Sequence, residues 1–410
     1  MGEASIFLIF MTLLGGGSGN ELLDLVPSDA YWKAKEVEMT APNLMLELNS
    51  IKADDTSKAT AIRKLMAIRG LGELKSADAV ASLKTQLDSK EMFVAEYAQR
   101  ALDAVEGKAP NKFSGVPPDQ MKKDLYMLPE HCGAVGQAKL LAGKPLDLKK
   151  LLAKQQDENA APDNQQQSGA MMDEMTTGLI TVAELTGNIR VDAVTIGVAD
   201  EIGQQQGFVC FYVRGLWDAD AVKSAIQMEL NQTKTVDDVD FLSPGFGGVV
   251  AAVPSNELFA FMGGPNANAL PLEDVAAAIK TGKGKLENAA DLIKVVEATD
   301  ITQPYWAAML VAGTYGQAPM LAPFDSLKLT GKPTADGVKF EATGAGKDAD
   351  GTKAAVDQFN SLIEEAKGEL SREADRHPQA QPLLDFFNTI ELSADGMTAK
   401  GTGTMKKIGQ

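Results

Sequence analysis

The stretch "GFVCFYVRGLWDADAVKSAI" that begins at Gly207 returns as "GVKFEATGAGKDADGTKAAV" beginning at Gly337. At an offset of 130 positions, Gly207 meets Gly337, Asp218 meets Asp348, Asp220 meets Asp350, Lys223 meets Lys353 and Ala225 meets Ala355. A chain that carries one pattern twice builds one unit twice, so each copy can be read against the other. Upstream, "VDAVTIGVADEIGQQQG" and "FDSLKLTGKPTADG" each read as a strand running into a turn, and Asp-Gly in the second supplies the positive φ that hairpin turns need.

Each hairpin passes through Asp-Ala-Asp into an amphipathic helix. Val222, Ala225, Ile226 and Leu230 share one face in the first copy, and Val356, Phe359, Ile363, Ala366 and Leu370 do so in the second, where the stripe predicts a helix from about Thr352 to Leu370. Further strands follow in "VDFLSPGFGGVVAAVPSNELFAFMGG" and "NTIELSADGMTAKGTGTM", and one apolar strand precedes each copy, "HCGAVGQAKL" and "PYWAAMLVAG". The repeating unit is strand, strand, helix, strand, strand. Hairpin connections make the sheets mainly antiparallel, so the expected class is α+β.

Residues 57–107 read differently. Val94, Tyr97, Ala98, Ala101, Leu102 and Val105 recur at the spacing of one helical stripe. With "AIRGLGEL" closing one helix and "ADAVASLKTQL" forming another, the stretch resembles a HEAT-like repeat. Such units normally stack in about three copies, and little more than one and a half is present, so this region is expected to lean on the segment Leu22 to Leu48 or on the domain that follows. The order of elements from about 125 to 407, with "GKGKLENAADLIKVVEATD" leading into "PYWAAML", resembles bacterial exported proteins of unknown function built from duplicated sheet-and-helix modules. The resemblance implies a periplasmic or surface location and brings no activity with it.

The expected organisation is a signal segment at 1–19, a helical HEAT-like region at 20–120, a first module at 121–285 and a second at 286–410. Residues 155–169, "QQDENAAPDNQQQSG", carry no large apolar side chain and read as a flexible insertion in the first module, between a helix at "PLDLKKLLAK" and one at "MMDEMTTGLITVAEL". The start, with an apolar stretch from Ile6 to Leu14 followed by small residues near Gly17 and Gly19, has the form of a secretory signal, although Glu3 stands where a basic residue is expected. The alternatives are a start further upstream or a buried element of a cytoplasmic protein. No apolar run reaches the ~20 residues of a membrane span. With 56 acidic against 39 basic residues and a formal charge of -17, nucleic acid and anionic membrane surfaces are poor partners.

The candidate chemistry is thin. Cys132 beside His131 has the wrong geometry for a nucleophile and its base, because successive strand residues point to opposite faces. Neither His131 nor His377 has a partner at metal-binding spacing. In "DADGTKAAVDQ" the glycine stands fourth instead of sixth and the closing Glu is missing, so Asp218 and Asp348 read as helix caps and not as calcium ligands. "GFGGVV" at 245–250 and "MGGPNANALP" at 262–271 lack the features of a phosphate loop and read as turns. No catalytic, cofactor-binding or metal residues are therefore expected, and no cofactor.

The only thiols, Cys132 and Cys210, leave two outcomes open. If their strands are neighbours in an oxidising compartment, a disulfide closing a loop of roughly 80 residues contributes about 4 kcal/mol in the chain-entropy model. Otherwise both are buried free thiols. The functional expectation is a non-catalytic exported protein with a binding or envelope-structural role and a protein or envelope partner. The alternatives are a hydrolase using a carboxylate pair in the crease between the modules, and a purely structural assembly protein.

Overall fold

The structure is a computed structural model that describes residues 21–51, 55, 57–108, 115–140, 176–200, 207–245, 248–265, 270–335, 337–376 and 380–406. The expected signal segment, the insertion 155–169, the helix at "PLDLKKLLAK" and His377 lie outside them. The described residues form two compact units: one from those before Ser114, those between Ala142 and Arg190, and Leu216–Ala225, the other from the rest.

The first unit is helical: α1 (Ser28–Ala34), α2 (Ala41–Ser50), α3 (Lys58–Glu73), α4 (Val80–Thr85), α5 (Val94–Val105) and α7 (176–186). The side chain of Ser57 caps α3 by accepting the Thr60 N–H, removing one of the unpaired donors at the helix start. The α5 stripe is buried at Val94, Tyr97, Ala98, Ala101 and Leu102 as its spacing predicts. Gly72 lets α3 and α5 approach closely, since a β-carbon there would lie 2.8 Å from Ala101 Cα. The helix expected at "ADAVASLKTQL" is shorter than its pattern. It opens as a 3-10 turn at Ala77–Ala79 and closes with the i to i+3 bonds Gln86 N–H to Leu83 O and Leu87 N–H to Lys84 O. The region leans on the segment Leu22 to Leu48, whose Leu22, Leu23, Leu25, Trp32, Leu44 and Leu48 are all buried.

A charged cluster lies within this unit. Glu21 is fully buried and accepts from Tyr97 Oη at 2.8 Å, Asn188 Nδ2 at 3.0 Å and Arg100 Nη2 at 2.5 Å. Arg100 and Arg190 both pair with Glu96. Arg69 donates to the carbonyls of Leu23 and Val26. Burying a carboxylate costs desolvation that several donors offset, and here those bonds tie the Leu22–Leu25 turn to α3 and α5.

The second unit carries one sheet of twelve strands in the order β11-β12-β10-β9-β8-β1-β2-β3-β7-β6-β5-β4. The strands are β1 (Cys132–Lys139), β2 (Arg190–Ala199), β3 (Val209–Leu216), β4 (Gln232–Val236), β5 (Val239–Ser243), β6 (Val249–Ser255), β7 (Leu258–Gly263), β8 (Tyr305–Leu310), β9 (Phe324–Pro333), β10 (Gly337–Gly346), β11 (Glu391–Asp395) and β12 (Thr398–Lys406). Its helices are α6 (Pro118–Tyr126), α9 (Leu272–Thr281), α10 (Ala290–Glu297), α11 (Gly313–Gln317), α12 (Ala349–Arg376) and α13 (Gln381–Asn388), and α8 (Ala219–Gln227) belongs to the first unit up to Ala225. Every ladder with a described register is antiparallel. The fold is α+β.

The two copies meet where β1 pairs with β8, Gly136 opposite Ala307. Outward from that pair, β1, β2, β3, β7, β6 and β8, β9, β10, β12, β11 follow in matching order. The copies therefore share one sheet. The first has four strands after its helix instead of two, because the hairpin β5–β4 extends its edge.

The repeat register differs between strand and helix. Gly215 N–H donates to Glu257 O at the end of the β3–β7 ladder, and Gly346 N–H donates to Met397 O at the equivalent place. Those positions are 131 apart, whereas the helix caps Asp218 and Asp348 are 130 apart. The first copy thus has two residues, Leu216 and Trp217, where the second has Lys347 alone, and Trp217 is fully buried.

One face of the sheet carries the main core. Cys132, Val135, Ala199, Cys210, Tyr212, Ala260, Met262, Trp306 and Ala308 pack with Leu125 of α6, Val275 and Ala276 of α9, and Leu292 and Val296 of α10. Arg214 makes two bonds to the buried Asp124 on α6, Nε to Oδ2 at 2.8 Å and Nη2 to Oδ1 at 2.6 Å. Tyr212 Oη donates to Met127 O at 3.1 Å. The opposite face of the second copy is covered by α12.

Candidate functional site

The face beneath α12 sets alanines and glycines beside a few larger apolar side chains. Register places Gly136, Ala307, Leu329, Ala342, Gly401 and Leu392 in one row across six strands. The adjacent row runs Ala134, Met309, Leu327, Gly344 and Ala399. Because strand residues alternate between faces, every second position of β8, β10 and β12 contributes to these rows. Val356 and Phe359 of α12 close the space from above, and a cavity of about 360 Å³ remains, lined almost wholly by apolar atoms.

The first copy explains why the space is there. With the strand offset of 131, Phe211 corresponds to Ala342 and Val213 to Gly344, and the facing partners Phe261 and Phe259 correspond to Gly401 and Ala399. Phe211 and Phe261 stand opposite each other with ring centroids 6.0 Å apart. Where the first copy has aromatic rings, the second has hydrogen atoms and methyl groups.

Three polar residues border the cavity: Lys328, Thr343 and Lys400. Each neighbours floor residues along its strand and so projects to the other face. Lys328 Nζ donates to Ala298 O, and Lys400 Nζ to Asp395 Oδ2. The lining includes no Asp or Glu, so the carboxylate pair required for the hydrolase alternative is not in this cavity. Close packing excludes voids elsewhere in such interiors, and an apolar space of this volume falls in the range of small-molecule sites.

The helix above is loosely held. In α12, Thr352, Ala355 and Val356 are buried, all in its first two turns, and no later described residue of that helix is. α13 buries none. The anchors are at the ends: Asp348 Oδ1 accepts the Gly351 N–H at 2.6 Å, and Thr389 Oγ1 accepts the Thr404 N–H at 2.7 Å.

The residues singled out in the sequence have structural places. Asp218 Oδ1 accepts the Ala221 N–H at 2.8 Å, the bond that Asp348 makes to Gly351, and it also pairs with Lys58. Both aspartates are helix caps, and no group of three or more His, Cys, Asp or Glu capable of holding a metal occurs among the described residues.

Cys132 and Cys210 are free, which overturns the disulfide. Cys132 pairs with Ala199 on β2, and Ala199 N–H in turn donates to Phe208 O leading into β3, so β2 lies between the two cysteines. Two strand spacings of about 4.8 Å exceed the ~7 Å limit between bridged Cα atoms. Burial pushes the Cys132 thiol well above its usual range, with Cys210 adding to the shift, and pushes Cys210 up to about 12. The offset of 130 seen in the sequence sets Phe340 against Cys210, but the strands do not: Phe340 pairs with Gly331, which pairs with Tyr305, on the face opposite to Trp306 and the cysteines. The one-residue slip before the helices reverses the correspondence.

Sequence reasoning missed the cavity. Its signal is present in "KFEATGAG" and "TAKGTGTM", where alternate positions are Ala or Gly, a pattern that reads only as weak strand until the register aligns the small residues.

No protein-family model and no curated protein matches the chain. Solved structures of TP0453 in three crystal forms are similar. Form III has a TM-score of 0.36 at 8% identity over 70% of this chain and 95% of that chain, and form I has 0.35 at 8% over 69% and 91%. Form IV has 0.34 at 9% over 70% and 94%.

Proposed function

We propose that this chain is a non-catalytic binding protein that holds an apolar ligand beneath α12. The observation that carries the reading is the cavity of about 360 Å³ whose floor is alanine and glycine where the duplicate copy is filled by phenylalanine. Burying a chain there removes apolar surface from water at about 25 cal/mol per Å², and a loosely held α12 admits it at small cost in packing. The stretch Ile6 to Leu14, with Gly17 and Gly19 behind it, supports an exported site of action, and an apolar ligand suits the cell envelope.

The test fills the cavity. Ala342→Phe places in the second copy the side chain that the first copy has at Phe211. Long-chain ligands carried through purification are extracted and weighed by mass spectrometry, and binding of a fluorescent alkyl probe is titrated. The expected result is ligand and probe binding in the native protein and a loss of at least tenfold in Ala342→Phe with the fold retained by circular dichroism. Equal probe binding by both proteins overturns the reading.

A further inference from the structure

We infer that the cavity takes a single unbranched hydrocarbon chain of about a dozen carbons whose polar end is uncharged or cationic, and that it selects by length and not by recognising a headgroup; this rests on the binding reading above.

The length follows from volume. At roughly the 30 Å³ that a water occupies in the liquid, taken as the size of one methylene, a cavity of 360 Å³ holds about twelve carbons. The shape of the floor argues for an unbranched chain. Ala342 and Gly344 of β10 and Gly401 and Ala399 of β12 form a smooth strip, with Leu327 and Leu329 of β9 rising on one side and Leu392 of β11 on the other. A ring or a branched chain would meet these leucines, whereas a single chain lies along the strip.

The absence of headgroup recognition follows from the donors. The ammonium groups of Lys328 and Lys400 are engaged with Ala298 O and Asp395. No polar side chain projects inward, so a polar ligand end placed inside would be desolvated without a partner. The polar end therefore stays at the rim.

The helix that covers the cavity carries more acidic than basic side chains. Asp350, Asp357, Glu364, Glu365, Glu369 and Glu373 stand against Lys353, Lys367 and Arg372, and Lys367 is paired with Glu364 at 2.7 Å. With that excess on α12 and a formal charge of -17 on the whole chain, the overall field disfavours a carboxylate and favours a cation.

The full chain is titrated by calorimetry at pH 8 and low salt, with ligands kept below their aggregation concentrations. One series is the straight 1-alcohols of eight to eighteen carbons. The second is the dodecyl chain ending in hydroxyl, trimethylammonium or carboxylate. Affinity is expected to rise to about twelve carbons and fall at least tenfold by eighteen. Dodecanoate should bind at least threefold more weakly than dodecanol, a gap that added salt closes as it screens the field. Affinity that keeps rising through eighteen carbons, or dodecanoate that matches dodecanol at low salt, overturns this inference and leaves the binding reading in place. No binding by any chain overturns both.

Discussion

Phe211 of β3 and Phe261 of β7 face each other across the ladder with ring centroids 6.0 Å apart, and the equivalent pair in the second copy is Ala342 and Gly401. The same backbone thus supports a filled site in one copy and an open one in the other. Truncating the filled site should cost more than filling the open one gains. Phe211→Ala is expected to lose about 2 kcal/mol, less than a full core truncation because the ring is half-buried. Ala342→Phe, measured without ligand, should gain up to about 1 kcal/mol. Urea denaturation of both variants checks the asymmetry, and a loss above about 2 kcal/mol for Ala342→Phe would mean that the space cannot accept a ring.

Periodicity made the elements legible. The α5 stripe from Val94 to Leu102 is buried where its spacing places it, and both Asp caps occupy the helix starts at which the repeat aligns them. Chain pairing was less visible. Nothing local in "HCGAVGQAKL" says that β2 separates Cys132 from Cys210, because that is decided by which strands become neighbours. The second helix shows the limit of pattern from the other side. Phe359, Ile363, Ala366 and Leu370 form a good stripe, and α12 runs to Arg376, yet the small residues opposite leave those side chains only half-buried. Amphipathicity identifies a face, whereas packing density depends on what the other element presents.

The thiols give a prediction about compartment and reactivity together. Because β2 lies between them, unfolding in denaturant without reductant should expose two free thiols per chain even after export. In the native protein, burial holds both thiols protonated at neutral pH. Alkylation by iodoacetamide at pH 8 should therefore track global unfolding. A count near zero would require a strand order other than the one found.

Asp24 should make the first unit sensitive to pH. Burial raises its carboxyl from 3.8 to about 7, with Glu21 and Glu96 adding to the shift while Arg69 and Arg100 oppose it. Between those values the unfolded chain releases the proton and the folded chain retains it, so stability falls as pH rises from about 4 to about 7 and levels off above. Asp24→Asn removes the group that must ionise. Thermal melts at pH 5 and pH 8 should show the variant's gain over the native protein larger at pH 8 than at pH 5, by on the order of 1 kcal/mol or more. An equal gain at both values would assign the effect to packing.

One substitution made at two helical glycines should act with opposite signs. Gly72 in α3 sits against α5, where an added β-carbon would meet the Ala101 backbone at 2.8 Å, and the backbone cannot rotate away as a side chain can. Gly72→Ala must push the helices apart and loosen the buried stripe of Tyr97, Ala98 and Ala101, so a loss of about 1–3 kcal/mol is expected. Gly368 lies inside α12 with nothing within 4 Å of the added carbon. There the methyl group restricts the unfolded chain and improves helix propensity, so Gly368→Ala should gain about 0.5–1 kcal/mol. The gain also bears on the site, because a stiffer α12 opens less readily: alkyl-probe association should slow in Gly368→Ala while the filled volume, and so the preferred chain length, stays the same. Stopped-flow association set beside urea denaturation separates the two effects. A Gly368→Ala protein that is more stable yet binds at an unchanged rate would show that α12 does not move to admit the ligand.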